Sequence, residues 1–150
     1  MLTQMTTERL RQMRLYGMAE AFLHQIQKPD LAGLTFEERF GLLVEHEWTY
    51  RQDRRLKRLL RQAKLRLSAC LEDVDYQPPR GLDRALLRSL AACEWVRAHL
   101  NVLITGPTGV GKTYLACALA HAACCQGLSA RYYRVPRLLS DLALARGDGS

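Results

Sequence analysis

Gly106, Pro107, Thr108, Gly109, Val110, Gly111, Lys112 and Thr113 spell GxxxxGK[ST], residue types at the spacing that wraps a nucleoside triphosphate. Backbone N–H groups must come close to the phosphates, and glycine at 106, 109 and 111 leaves the room that a Cβ would take. Lys112 brings an ammonium to the outer phosphates, where the free N–H groups and dipole at the start of a helix also favour negative charge. Thr113 offers a hydroxyl to the Mg2+ that bridges the phosphates of ATP. Pro107 has no N–H to donate and stiffens the turn entering the loop.

Strand, glycine loop and helix in that order is the arrangement that confirms such a motif. Asn101 to Thr105 (NVLIT) is an apolar run suited to a buried parallel strand, and residues 112–126 form an Ala- and Leu-rich helix stopped by Gly127. Residues 130–135 (ARYYRV) read as a second strand, and Pro136 opens a helix over 137–145 that Gly147 caps. Upstream, Leu86, Leu90, Cys93 and Val96 stand at helical spacing in a helix from about Leu82 to His99.

The first part of the chain reads as helices throughout. Thr6 and Thr7 open one that runs to about Gln27 and stops at Lys28-Pro29-Asp30. Thr35-Phe36-Glu37-Glu38 is a capping box opening a longer one, which continues to about Leu67 with Tyr50 as the place for a break. The expected fold class is therefore α/β: an all-helical region over 1–77, a linker at 78–81 (Pro-Pro-Arg-Gly), and a partial P-loop core with a parallel sheet over 82–150.

The net charge is +7. Between Arg51 and Arg66 eight basic residues face one acid, Asp53, so this segment equals the whole excess. Leu56, Leu59, Leu60, Ala63 and Leu67 share an arc of about 100° on a helix, and the bases occupy the rest. A merely solvated face usually interleaves both signs. The imbalance favours a surface, with Arg51, Arg54, Arg55, Arg58 and Arg61, that tracks the DNA backbone without reading sequence.

Five cysteines, an odd number with no CxxC pair, suit a reducing compartment better than a disulfide framework. Cys117, His121 and Cys124 or Cys125 could share a helix face as metal ligands, but no fourth ligand is evident and small cysteines commonly pack such a face. The polar opening, with Glu8, resembles neither a secretory signal nor a transit peptide, and Leu115 to Cys125 is too short to span a bilayer. A cytoplasmic protein with no membrane contact is expected. Hydrolysis would need an acid at the end of a later apolar strand. None is present, so the expectation is a core that stops partway, with weak ATP binding at most and no turnover.

The loop GPTGVGKT, the preceding PPRGLDRALLRSLAACEWVRAHLNVLIT and the following YLACALAHAACCQG and RVPRLLSDLALARGDGS together resemble the IstB family of insertion-sequence helper ATPases, relatives of the DnaC helicase loaders in the AAA+ class. The resemblance implies an AAA+-type core from about residue 82 and a helical appendage for DNA or partner contacts. It implies ATP and Mg2+ as cofactors, assembly into homo-oligomers in the full-length family, and delivery of target DNA to a transposase. It maps residues 106–113 onto the nucleotide loop and sets residues 75–81 against the adenine. The family's acidic strand, sensor and arginine finger have no counterpart here, so whether this chain is an enzyme stays open. A helicase loader and a non-enzymatic DNA-binding adaptor are the alternatives.

Overall fold

The computed structural model describes residues 2–28, 31, 33–77 and 81–149. They fold into α1 (Leu2–Gln12), α2 (Tyr16–Gln27), α3 (Phe36–Ala63), α4 (Arg84–Ala91), α5 (Glu94–Arg97), α6 (Lys112–Cys125) and α7 (Val135–Asp148). Two compact units result, Met1–Lys57 and Arg58–Ser150. Of the linker and helix-stop signals, Pro29, Asp30, Pro78, Pro79 and Arg80 lie outside the described residues.

In the first unit, the single helix expected to end near Gln27 is two. Arg14 takes a left-handed conformation (φ 60°), and the N–H groups of Arg14 and Leu15 donate to Arg11 O (2.9 Å) and Leu10 O (2.8 Å), closing α1 as a Schellman turn does. The second helix starts because tertiary structure caps it. Met18 N–H, in the first turn of α2, donates to Glu47 Oε2 of α3 at 2.9 Å. Gly17 permits the approach, since a Cβ there would stand 2.7 Å from Tyr50 Cβ and 3.0 Å from His46 O.

The capping box of α3 forms. Thr35 N–H donates to Glu38 Oε2 (2.8 Å) and Glu38 N–H to Thr35 Oγ1 (3.3 Å), and these bonds hold the Glu38 carboxyl below its ordinary range. The helix runs unbroken through Tyr50 and stops at Ala63, four residues short of Leu67, with Lys64 left-handed (φ 48°). Its last carbonyls are met by a distant segment: Arg131 Nη1 donates to Gln62 O (3.0 Å) and Tyr132 N–H to Ala63 O (2.9 Å).

Among the described residues there is no strand, which overturns the α/β class with its partial P-loop parallel sheet. A strand exists by its ladder, and residues 101–105 and 130–134 form none; the second segment spends Tyr132 N–H on the end of α3 instead. A parallel strand also needs cover on both faces. Here Val102 and Ile104 are half-buried, while Leu103 between them is 89% exposed.

The helix expected over 82–99 is likewise divided. Asp83 caps α4 by accepting Ala85 N–H (2.7 Å), and buried Cys93 turns left-handed (φ 58°) before α5. The helix placed at 137–145 begins at Val135 and is ended by Gly149 (φ 71°), not Gly147. The helix after the loop matches its expected span within a residue, and Gly127 (φ 78°) follows it. Its buried face is small: Cys117 and Ala118 pack with Ala69 under Leu65, Leu71, Tyr114 and Tyr132. All five cysteines are free. No helix among the described residues is long and apolar enough to cross a membrane.

Candidate nucleotide-binding loop

The loop 106–113 sits where the irregular segment 101–107 leads into α6. Gly109 (φ 86°) and Gly111 (φ 97°) adopt left-handed backbone that side chains rarely tolerate. At Gly106 a Cβ would touch Val110 Cγ2 at 3.4 Å. Gly111 caps α6 and has no side chain to accept the first-turn N–H groups. That end of the helix presents donors and the positive pole of its dipole.

Lys112 is half-buried, and its Nζ donates to Gly106 O (2.8 Å) and Pro107 O (2.6 Å). These bonds fold the side chain back over the loop and tie its two ends into a ring. An ammonium has three N–H donors, and two are committed. Thr113, next along, is half-buried at the same helix start. Pro107 therefore contributes its carbonyl, a role its missing N–H gave no hint of.

Beside the loop is a cavity of about 310 Å³, lined by apolar Val74, Leu82, Ile104, Val110 and Leu115 and by charged Asp73, Asp75 and Lys112. The segment supplying Asp73 to Asp75 is held on α6 by Tyr114, whose hydroxyl donates to Cys70 O (3.2 Å). Asp75 Oδ1 accepts Gln77 N–H (2.9 Å). Asp73, Val74 and Leu82 were not singled out from the sequence. They lie on irregular backbone, where no periodicity marks a shared surface.

The five arginines proposed for DNA are all exposed on α3 and differ in their contacts. Arg51 Nε is bound to Glu47 Oε1 at 2.7 Å, and Arg54 lies 5.9 Å from the ring centroids of both Tyr16 and Tyr50. Arg55 is exposed in the first unit, and Arg58 and Arg61 are exposed in the second. On α6, Cys117 and Cys124 are buried in packing, while His121 Nδ1 stands 3.7 Å from Cys125 Sγ and 4.0 Å from Cys70 Sγ. No group of three metal-ligating residues fit for an ion occurs among the described residues.

Taken together these features describe a helical protein with a glycine-rich loop closed on its own lysine at a helix start. The chain belongs to the IstB-like ATP binding protein family, whose profile matches residues 8–150. It is 54% identical over 151 residues to a protein named for ATP binding in insertion sequence IS1162 of Pseudomonas fluorescens, across 100% of this chain and 65% of that relative. A Sinorhizobium fredii insertion-sequence protein, also named for ATP binding, is 52% identical over 149 residues, covering 99% and 61%. An insertion-sequence protein of Mycobacterium tuberculosis with a similar name is 40% identical over 144 residues, covering 94% and 56%. The chain thus spans between 56% and 65% of the length of these relatives. The family resemblance drawn from the loop and its flanks holds.

Proposed function

We propose that this chain binds ATP with Mg2+ through residues 106–113 and serves an insertion sequence as its transposition helper. The observation that carries the reading is the posture of Lys112. Two of its donors rigidify the loop and one is left to meet a phosphate, at the end of a helix whose own N–H groups lack a side-chain cap. Thr113 would hold Mg2+, which when bound neutralises phosphate charge. The base would enter the neighbouring cavity, where Val74 and Leu82 give apolar contact and Asp73 offers a carboxylate to an exocyclic amine.

The test is titration of a fluorescent ATP analogue with Mg2+ into the parent chain and into Lys112→Ala. Loss of one charge-assisted contact of about 1.5–3 kcal/mol predicts a fall in affinity of roughly 10- to 150-fold. Equal signals from the two proteins would refute nucleotide binding at this loop.

The relatives' insertion-sequence names favour a transposase over a replicative helicase as partner. DNA is proposed to lie along Arg58 and Arg61, because Arg51 and Arg54 already serve the packing of the first unit. Changing Arg58 and Arg61 to Ala should lower duplex affinity and flatten its salt dependence by about two phosphate contacts. An unaltered salt slope would reject that surface. The setting proposed is the cytoplasm, where the five free thiols stay reduced.

A further inference from the structure

Of the five cysteines, Cys93, Cys117 and Cys124 are buried, whereas Cys125 is exposed and Cys70 half-buried. The two that solvent reaches meet at one imidazole. His121 Nδ1 stands 3.7 Å from Cys125 Sγ, one turn along α6, and 4.0 Å from Cys70 Sγ, 51 residues back in the chain. The two sulfurs are therefore no further apart than those distances laid end to end. Cys70 is near enough to join apolar surroundings in raising the Cys125 thiol. Its place along α6 is fixed by its neighbours: Ala69 is buried with Cys117 and Ala118, and Cys70 O accepts the Tyr114 hydroxyl at 3.2 Å. Cys70 itself lies on irregular backbone, where small changes in φ and ψ move a side chain without unwinding a helix.

We propose that Cys70 and Cys125, sharing His121, are a reversible disulfide site that reacts with low-molecular-weight disulfides and so makes the cavity beside the nucleotide loop sensitive to oxidation. In the tautomer with hydrogen on Nε2, His121 Nδ1 takes the Cys125 thiol proton. The thiolate attacks one sulfur of the small disulfide and forms a mixed disulfide on Cys125; the other sulfur is expelled as a thiolate and leaves with the proton from His121. Cys70 then gives its proton to the same nitrogen and attacks Cys125 Sγ, and the second small thiol departs in the same way. Two electrons pass from the protein's thiols to the reagent; in net, one S–S bond breaks, one forms and two small thiols are released. Inside a cell such a bridge is transient and redox-sensing, with both thiols free at rest. Closing it draws Cys70 toward the end of α6 and away from Tyr114 in its first turn, and the cavity wall at Asp73, Val74 and Asp75 follows. The loss of ATP affinity that results rests on the nucleotide reading above; the bridge does not.

The experiment treats the full 150-residue chain with oxidised glutathione and reads it by mass spectrometry without reductant or nucleotide. The parent should lose two hydrogens and keep no glutathione, and dithiothreitol should reverse the change. Cys70→Ser should stop with one glutathione held on Cys125, and Cys125→Ser should form no bridge. His121→Ala, with helicity unchanged by circular dichroism, should bridge at least about tenfold more slowly. The bridged parent should then bind a fluorescent ATP analogue several-fold more weakly than the reduced parent, a difference that Cys125→Ser treated alike lacks. A parent that accumulates the glutathione adduct without bridging, a bridge that survives Cys125→Ser, or a His121→Ala variant that is not slowed would each overturn the proposal. So would equal affinities of the bridged and reduced forms in a chain that the Lys112→Ala comparison shows to bind nucleotide. Failure of nucleotide binding itself is read by that comparison and leaves the mass result standing.

Discussion

Replacing Glu47 by Ala removes the joint between α2 and α3. Its side chain is 8% exposed and serves two donors, Met18 N–H at 2.9 Å and Arg51 Nε at 2.7 Å. Leu15, the residue before α2, provides no side-chain cap. Without Glu47 the half-buried Met18 N–H has no acceptor, which costs about 1.5–3 kcal/mol for a bond to a charged group. Arg51 is 57% exposed, and water screens its loss to under about 1 kcal/mol. The expected total is about 2–4 kcal/mol, read as a shift of the urea midpoint by far-ultraviolet circular dichroism. A loss below about 0.5 kcal/mol, the size of an ordinary surface change, would refute the cap.

The same carboxylate predicts a pH signature. Burial pushes the Glu47 carboxyl up, but hydrogen bonds from Met18 N–H and Arg51, the Arg51 charge and the Gly17 backbone outweigh it, so its pKa falls below the ordinary 4.5. A carboxylate with a folded pKa below its unfolded one stabilises fully above the unfolded value and loses that contribution as pH falls through the folded one. The stability gap between the parent and Glu47→Gln should therefore be constant above about pH 5 and close in acid. A gap that widened on acidification would contradict the assignment.

Gly17→Ala would push a methyl to 2.7 Å from Tyr50 Cβ and should cost about 1–3 kcal/mol, whereas Gly147→Ala, open on all sides within α7, should gain up to about 1 kcal/mol; equal melting shifts would sink the contrast. Gly109→Ala meets no atom but forces a side chain to φ 86°, a strain of about 1–2 kcal/mol, so calorimetry should find nucleotide affinity reduced several-fold with the fold intact. Cys125 should react with a disulfide reagent before Cys93, Cys117 and Cys124, which are buried. Apolar surroundings, Cys70 and Glu72 raise the Cys125 thiol above its ordinary 9.0, so its rate should still be climbing at pH 9; a plateau near pH 8 would contradict this.

The loop was legible because its demands are local. Three glycines, an ammonium and a hydroxyl at fixed spacing point to a phosphate cradle from one short stretch of chain, and the Thr35–Glu38 box closes within one turn. The division of the first helix was not, because an arginine at 14 carries no turn signal of its own. Left-handed Arg14 closes α1, and the start of α2 is capped from α3 by Glu47. The basic run on α3 was read as one face; contacts with Glu47, Tyr16 and Tyr50 engage two of its arginines within the first unit.

By itself the sequence determined the helix that follows the loop, the loop's conformational needs and the family, since each depends on residues within a short stretch of chain. The tertiary structure alone decided that residues 101–105 and 130–134 form no strand, and that Asp73, Val74 and Leu82 share a cavity with Lys112. Strand pairing and cavity walls join residues tens of positions apart, and whether they meet depends on the cover and hydrogen-bond partners the rest of the fold supplies.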